Sequence, residues 1–314
     1  MSDITRIAFL GPRATFTEEA LQGEADLGGA DHVPYPSMND ALAAVERGEA
    51  DAAFVPIENA IEGTVNLTLD SLIFDHDLLI QREVVKRIVM NLLTPSGLAV
   101  KHVERVLTLP VALAQCRDWL SANLPNAEFE ATNSTADAAR IVGELVKADP
   151  GVRAAAIGPA LSASLYGLDV AVTDIEDHPD NATRFVLVRP NVIPGPTGHD
   201  KTSIVCFQRA DTPGSLHSIL GQFTARNINL TKLESRPTKA GLGNYCFIID
   251  FEGHIDDEVV FDCLRDLRAS VADVKFLGSY PAAGEHGEAI RRDAEASWRS
   301  ADTWVRGLRD QIVR

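Results

Sequence analysis

Twice in this chain a capped helix runs through a tight turn into a short apolar strand that stops at a proline. That repeated unit limits the fold more than any other feature. The first copy begins at Ser37-x-x-Asp40, an acidic variant of the capping box. It carries Ala41, Leu42 and Val45 on one helical face, stops at Gly48, and reaches the strand Ala52–Val55 ahead of Pro56. The second begins at Ser134-x-x-Asp137, runs to Lys147, turns at Asp149-Pro150-Gly151, and delivers the strand Arg153–Ile157 ahead of Gly158-Pro159. Apolar strands alternating with helices belong to α/β proteins with mainly parallel sheets. Two copies predict two lobes with a ligand cleft between them.

The flanking segments fit this plan. Arg6–Leu10 is a buried strand ending at Gly11-Pro12, and Thr15 or Thr17 can cap a helix that opens with Glu18-Glu19. Thr64 is placed to cap a helix carrying Val65, Leu69, Leu72 and Ile73 on one side. Leu78–Leu93 is predicted extended and Val111–Leu120 helical. Pro190–Lys201, with three prolines and two glycines, is a linker. Beyond it the order strand, helix, strand, strand, helix, strand over 202–281 predicts an α+β ferredoxin-like sandwich. The expected domains are therefore 1–189, a linker 190–201, the small domain 202–281, and a charged helical tail 282–314 bearing Trp298, Trp304 and Leu308.

Several functions are disfavoured by composition. The net charge of −16 opposes non-specific binding to nucleic acid. No apolar run is long enough to cross a bilayer, so no membrane partner is expected. The opening Met-Ser-Asp-Ile-Thr-Arg lacks the basic and apolar regions of a secretory signal, which predicts a cytoplasmic location. Cys116, Cys206, Cys246 and Cys263 stand far apart and the histidines are scattered, so buried thiols and no metal site are expected.

The specific signal lies in an ordered set of short motifs. These are Gly11-Pro12 with Thr15-Phe16, Val55-Pro56-Ile57-Glu58-Asn59 leading into Glu62-Gly63-Thr64-Val65, Gln115-Cys116, Tyr166-Gly167-Leu168, and Asn181-Ala182-Thr183-Arg184-Phe185. Over Ile4–Val188 the set resembles prephenate dehydratase. Ser203–Pro281, with Thr212-Pro213-Gly214-Ser215-Leu216 and Glu234-Ser235-Arg236-Pro237, resembles the ACT domain attached to such enzymes. The resemblance implies a periplasmic-binding-protein-like catalytic domain that turns prephenate into phenylpyruvate, CO2 and water, without a cofactor. It also implies a homodimer or homotetramer in which L-phenylalanine binds at the ACT domain. Two departures stand out. The family's glycine before the first-loop threonine is Ala14, and its Ser-His-Pro-Gln stretch reads Thr108-Leu109-Pro110-Val111.

Prephenate carries two carboxylates and an allylic hydroxyl, and aromatisation supplies the driving force, so no electron sink is required. Arg184 is the expected carboxylate clamp. Thr183 is expected to hydrogen-bond the departing hydroxyl, and Asn59 to donate to the substrate without adding negative charge. Glu58 is a candidate acid. Thr15, Thr108, Gln115 and Phe185 are the expected substrate-binding residues. Pro213, Gly214, Ser215 and Leu216, with Glu234, Ser235, Arg236 and Pro237, are the expected effector site. His217, beside that turn, is a candidate for altering effector choice. Two other functions stay open on sequence alone: an arogenate dehydratase, and a non-catalytic amino-acid sensor.

Overall fold

The computed structural model describes residues 4–208, 212–238, 245–283, 300, 303–308 and 311. Trp298 and most of the expected tail lie outside the described residues; 303–308 are helical, with Trp304 and Leu308 exposed. Along the chain, β1 (Arg6–Leu10), α1 (Phe16–Gln22), β2 (Asp31–Tyr35), α2 (Met38–Glu46), β3 (Ala52–Asn59), the short β4 (Gly63–Thr64), α3 (Asn66–Asp70) and β5 (Leu79–Arg87) build a first lobe. The chain then crosses to β6 (Asn91–Thr94), β7 (Arg105–Thr108), α4 (Pro110–Gln115), α5 (Arg117–Asn123), β8 (Glu128–Ala131), α6 (Thr135–Ala148), β9 (Ala154–Gly158), α7 (Ala160–Tyr166) and β10 (Asp169–Val172). It returns to the first sheet as β11 (Ala182–Arg189).

The first sheet runs β2-β1-β3-β11-β5 and the second β10-β6-β9-β7-β8, so the two expected α/β lobes are present and the chain passes between them twice. β1 pairs in parallel with β2 and β3, and β7 in parallel with β8 and β9, while β6 is antiparallel to both its neighbours. Ser37 and Ser134 cap their helices as their spacing predicts, accepting from the backbone N–H of Asp40 at 3.1 Å and Asp137 at 3.0 Å. Thr64 does not: it sits in β4, and Val65 opens α3 without a side-chain cap. The single helix expected over Val111–Leu120 is two, broken at Cys116, whose φ of −119° and ψ of 16° are not helical. The extended stretch Leu78–Leu93 is likewise two strands in two different sheets.

The chain divides into two compact units: Met1–Ser71 with Val84–Leu187, and Leu72–Glu83 with Val188–Arg314. Within the second, β12 (Asp200–Phe207), α8 (Ser215–Thr224), β13 (Leu230–Pro237), β14 (Tyr245–Glu252), α9 (Glu258–Ser270) and β15 (Asp273–Pro281) follow the expected ferredoxin-like order, with the sheet arranged β13-β14-β12-β15. Its helices close on Ile204, Cys206, Ile249 and Phe251, all fully buried. The segment Leu72–Glu83 belongs to this unit through specific contacts. Lys275 Nζ donates to the carbonyls of Ile73 and His76 at 3.0 and 2.8 Å, and Phe74 meets Phe207 edge to face. Lys201 holds both oxygens of buried Glu83 at 2.8 and 2.9 Å. Gly278, at φ +143°, lies so near that a Cβ there would stand 2.6 Å from the carbonyl of Ile80.

Candidate active site

A cavity of about 220 Å³ opens in the first unit where the end of β3, the start of β11 and the end of α4 meet. Asn59 closes β3 and Asn181 immediately precedes β11, so neighbouring strands of one sheet bring two amides together across a long stretch of sequence. The Oδ1 of Asn59 accepts the backbone N–H groups of Ile61 and Glu62, both at 3.0 Å. That fixes which end of the amide is which, because only Nδ2 is left to face the other way. Nδ2 donates to Asn181 Oδ1 and to Thr183 Oγ1, each at 2.9 Å.

The polarity then propagates. Asn181 is 1 % exposed and donates through Nδ2 to Gln115 Oε1 at 3.1 Å, and Gln115 Nε2 donates to Glu62 Oε1 at 3.2 Å. Glu62 returns its own N–H to Asn59, which closes a ring of hydrogen bonds with Thr183 as a branch. Since the hydroxyl oxygen of Thr183 already accepts from Asn59, its proton is available to something in the cavity that Thr183 lines. Amides chained in one direction reinforce one another, and burial strengthens the bond from Asn181 to Gln115.

Side chains alternate along a strand, and β11 uses both of its faces. Thr183 and Phe185 line the cavity; Arg184 does not. Arg184 is half-buried and sets Nη1 3.4 Å from Oε2 of Glu58, which also stays off the cavity wall. Arg184 and Glu58 are thus brought together, but away from the residues with which they were grouped by sequence. Phe185 lies flat on Phe54, ring centroids 5.2 Å apart, and is 1 % exposed. Thr108 is buried, with its hydroxyl donating to the carbonyl of Ile157 at 3.3 Å, and Thr15 caps α1 by accepting from Glu18 N–H at 3.3 Å. Neither Thr108 nor Thr15 lines the cavity.

Glu62 and Asn181 are the members that residue-by-residue reasoning left without a role. Both lie in quoted motifs, but an Asn before a strand and a Glu in a loop carry no local mark of function. Glu62 is the one acidic or basic side chain on the described cavity wall. The backbone contributes too: Phe16 and Thr17, Val111 and Ala112, and Thr135 line the cavity from the opening turns of α1, α4 and α6. Helix starts turn unpaired N–H groups and the positive dipole end toward a bound anion. In a chain of charge −16 this is a local solution to holding an anionic ligand.

The first loop is pinned to the second lobe. Ser162 Oγ donates to the carbonyl of Ala14 at 2.7 Å, and Leu161 N–H to Glu19 Oε1 at 3.1 Å. Ala14 sits at φ +63°, the left-handed region, which accounts for a glycine being the natural occupant of such a position. All four cysteines are buried and form no disulfide; burial pushes the thiols of Cys116, Cys206 and Cys263 up to about 12, so none of those three is poised as a nucleophile.

In the second unit Gly214, at φ +86°, sets the start of α8 beside a cavity of about 310 Å³. Of the expected effector residues only Ser215 lines it, with its hydroxyl accepting from Gln208 Nε2 at 2.6 Å. Glu234, Ser235, Arg236 and Pro237 lie on the edge strand β13, where Glu234 faces Lys232 at 3.7 Å and Arg236 at 3.8 Å. Pro213, Gly214 and Leu216 flank Ser215 in sequence without reaching the cavity wall.

Fold and cavity together define a two-lobed α/β enzyme joined to a small βαββαβ module. The prephenate dehydratase family model matches residues 7–192 and the ACT domain model residues 202–269. A prephenate dehydratase of Mycolicibacterium vanbaalenii is 42% identical over 97% of this chain and 98% of its own. Among solved structures, a prephenate dehydratase of Arthrobacter aurescens in complex with L-Phe superposes with a TM-score of 0.87. It is 41% identical, over 98% of this chain and all of that one. A quorum-quenching acylase, GqqA, is 28% identical, with a TM-score of 0.79, over 88% of this chain and 98% of that one. The chain belongs to the prephenate dehydratase family of lyases and carries an ACT domain. Among the described residues no helix is long and apolar enough to cross a membrane, and no cluster of His, Cys, Asp and Glu can hold a metal ion.

Proposed function

We propose that the first unit converts prephenate to phenylpyruvate, CO2 and water, with Thr183 as the hydrogen-bond donor to the departing hydroxyl. The observation that carries this is the bond from Asn59 Nδ2 to Thr183 Oγ1, which leaves the threonine proton available to a ligand in the cavity. In the reaction the ring carboxylate leaves as CO2, its bonding pair flows into the ring, and the C4 hydroxyl departs with one proton as water. Thr183 stabilises charge that grows on that oxygen, so its contribution is larger in the transition state than in the ground state. A threonine hydroxyl is too weak an acid to supply the proton itself. We assign proton delivery to Glu62, the carboxyl on the wall. The substrate carboxylates rest at the helix starts, and Asn59, Asn181 and Gln115, on the same wall, position Thr183. Arg184 and Glu58 act as a tie behind β11.

Glu62→Gln separates these roles, because the amide oxygen still accepts from Gln115 while the transferable proton is gone. Turnover of prephenate by this variant should fall by about a hundredfold at unchanged KM. Near-normal kcat would move the proton source to water. Comparing kcat/KM for prephenate and arogenate tests the substrate: a preference for arogenate would overturn the assignment.

The second unit is read as the regulatory one, binding L-phenylalanine near the start of α8, where Gly214 lets an amino acid approach the backbone. Its support is the ACT match and the L-Phe complex of a relative 41% identical. The edge strand β13 exposes Leu233, consistent with pairing of two copies into a dimer or tetramer. Titration calorimetry of the full chain with phenylalanine should give saturable heat, and light scattering a mass above one chain. A cytoplasmic location fits a pathway enzyme with buried free thiols.

A further inference from the structure

Behind α4, on the side away from Thr183, lies a second cavity of about 350 Å³ in the first unit. Leu113, Leu120 and Leu124 form its floor, and Phe129 of β8, 48 % exposed, presents its ring as a side wall. One charged side chain lines it, Arg117, the first residue of α5, with Ser121 one turn further along. Arg117 is exposed and makes no ion pair or side-chain hydrogen bond among the described residues. At this helix start the carboxylate of Asp177 accepts the N–H groups of Asp118 and Trp119, and Asp118, the acid of the first turn, does not line the cavity.

We propose that this cavity binds a small aromatic monocarboxylate, with the ring between the leucine floor and Phe129 and the carboxylate on Arg117. The volume suits one ring with a short side chain. Apolar walls and an exposed ring select an aromatic body over a sugar or a nucleotide, whose polar groups would go unpaired. A single unpaired guanidinium matches one carboxylate through two parallel hydrogen bonds and leaves a polyanion unsatisfied. The walls offer no carboxylate to an ammonium group, so a deaminated acid is favoured over an amino acid. This is a different recognition from the one assigned to the second unit.

The two cavities share α4 as a wall. Val111, Ala112 and Gln115 face the first, whereas Pro110, Leu113 and Ala114 face the second. A ligand that braces Leu113 therefore bears on Gln115 and through it on the ring that aims Thr183. That consequence rests on the catalytic reading given above; the binding itself does not.

The test uses 3-phenylpropionate and the full chain, with calorimetry as the readout. Because the catalytic cavity can also accept an aromatic acid, the assignment depends on variants confined to the second. Binding is expected at about 0.1–1 mM, weakened about tenfold in Arg117→Gln and abolished in Ser121→Trp, which fills the cavity. Neither Arg117 nor Ser121 lines the first cavity, and the thermal midpoint without ligand checks folding. 2-Phenylethylamine should bind no differently to Arg117→Gln than to the parent. No binding of 3-phenylpropionate, or binding unchanged in both variants, would overturn the site. An equal loss of amine affinity in Arg117→Gln would overturn the carboxylate assignment.

Discussion

Thr183 and Arg184 leave the same strand in opposite directions and enter different kinds of chemistry. On the Thr183 face the hydrogen bonds are made by amides and a hydroxyl, aligned in one direction around a ring, with a single carboxyl at its edge. On the Arg184 face two full charges meet at 3.4 Å, the arginine side chain 11 % and the glutamate side chain 38 % exposed. The first arrangement controls where a proton points. The second controls how well two strands stay together. Residues adjacent in sequence, and conspicuous as a pair, are thus divided by the period of the strand into one on the cavity wall and one in an ion pair behind it.

The comparison breaks most directly at Thr183. Thr183→Ala removes the donor without opening a large void, and kcat should fall about 10²- to 10³-fold, the equivalent of about 3–4 kcal/mol in the transition state. Steady-state turnover of prephenate measures it; a variant with parental kcat would mean that the cavity face is not the catalytic one. Asn181→Leu keeps the side-chain volume and cuts the ring, stranding the Asn59 and Gln115 amides that it satisfied. We expect about a tenfold loss in kcat together with about 2 kcal/mol of stability, since unpaired buried amides cost more than the bond they lose. Stability lost with kcat intact would reduce the ring to scaffolding.

Arg184→Lys sharpens the contrast from the other side. KM for prephenate should move by less than about threefold while stability drops by about 1 kcal/mol, as for a partly exposed ion pair. A large rise in KM would show that the guanidinium reaches the substrate after all. The smallest effect expected is at the rim. Ala14→Gly relieves a left-handed alanine at a cost of about 1–2 kcal/mol and returns part of that as unfolded-chain entropy, for a net gain near 0.5 kcal/mol in denaturant titration. A loss instead would mean that the loop is held without strain.

Much of this plan was legible in the sequence, and the gaps have physical reasons. The serine caps, the buried strands β1, β3 and β9, and the whole βαββαβ order follow from local periodicity. β8 and β10 escaped because they are four-residue edge strands with no buried side chain, too short for a pattern to stand out. Gln115 was expected to bind substrate from one continuous helix; the end of that helix beside it at Cys116 was not foreseen, because a break with no glycine or proline leaves no signal. Arg184 was grouped with Thr183 because the motif is contiguous; counting the strand in twos would have separated them. Asn59, Asn181 and Gln115 are each ordinary, and only the pairing of β3 beside β11 makes them a ring.

The stretch Leu72–Glu83 has a consequence for anyone who treats the regulatory half as a cassette. It lies inside the part matched by the catalytic family model, yet it also makes specific contacts with β12 and β15. Cutting the chain at the proline-rich linker would strip Lys201 of its carboxylate, Lys275 of its carbonyls and Gly278 of the backbone that it was shaped to admit. A chimera between two relatives needs two splice points rather than one, so that the internal stretch travels with the module it serves. The same entanglement means that sequence drift in β15 and in Leu72–Glu83 must stay in step, tying the inheritance of one half of the gene to the other.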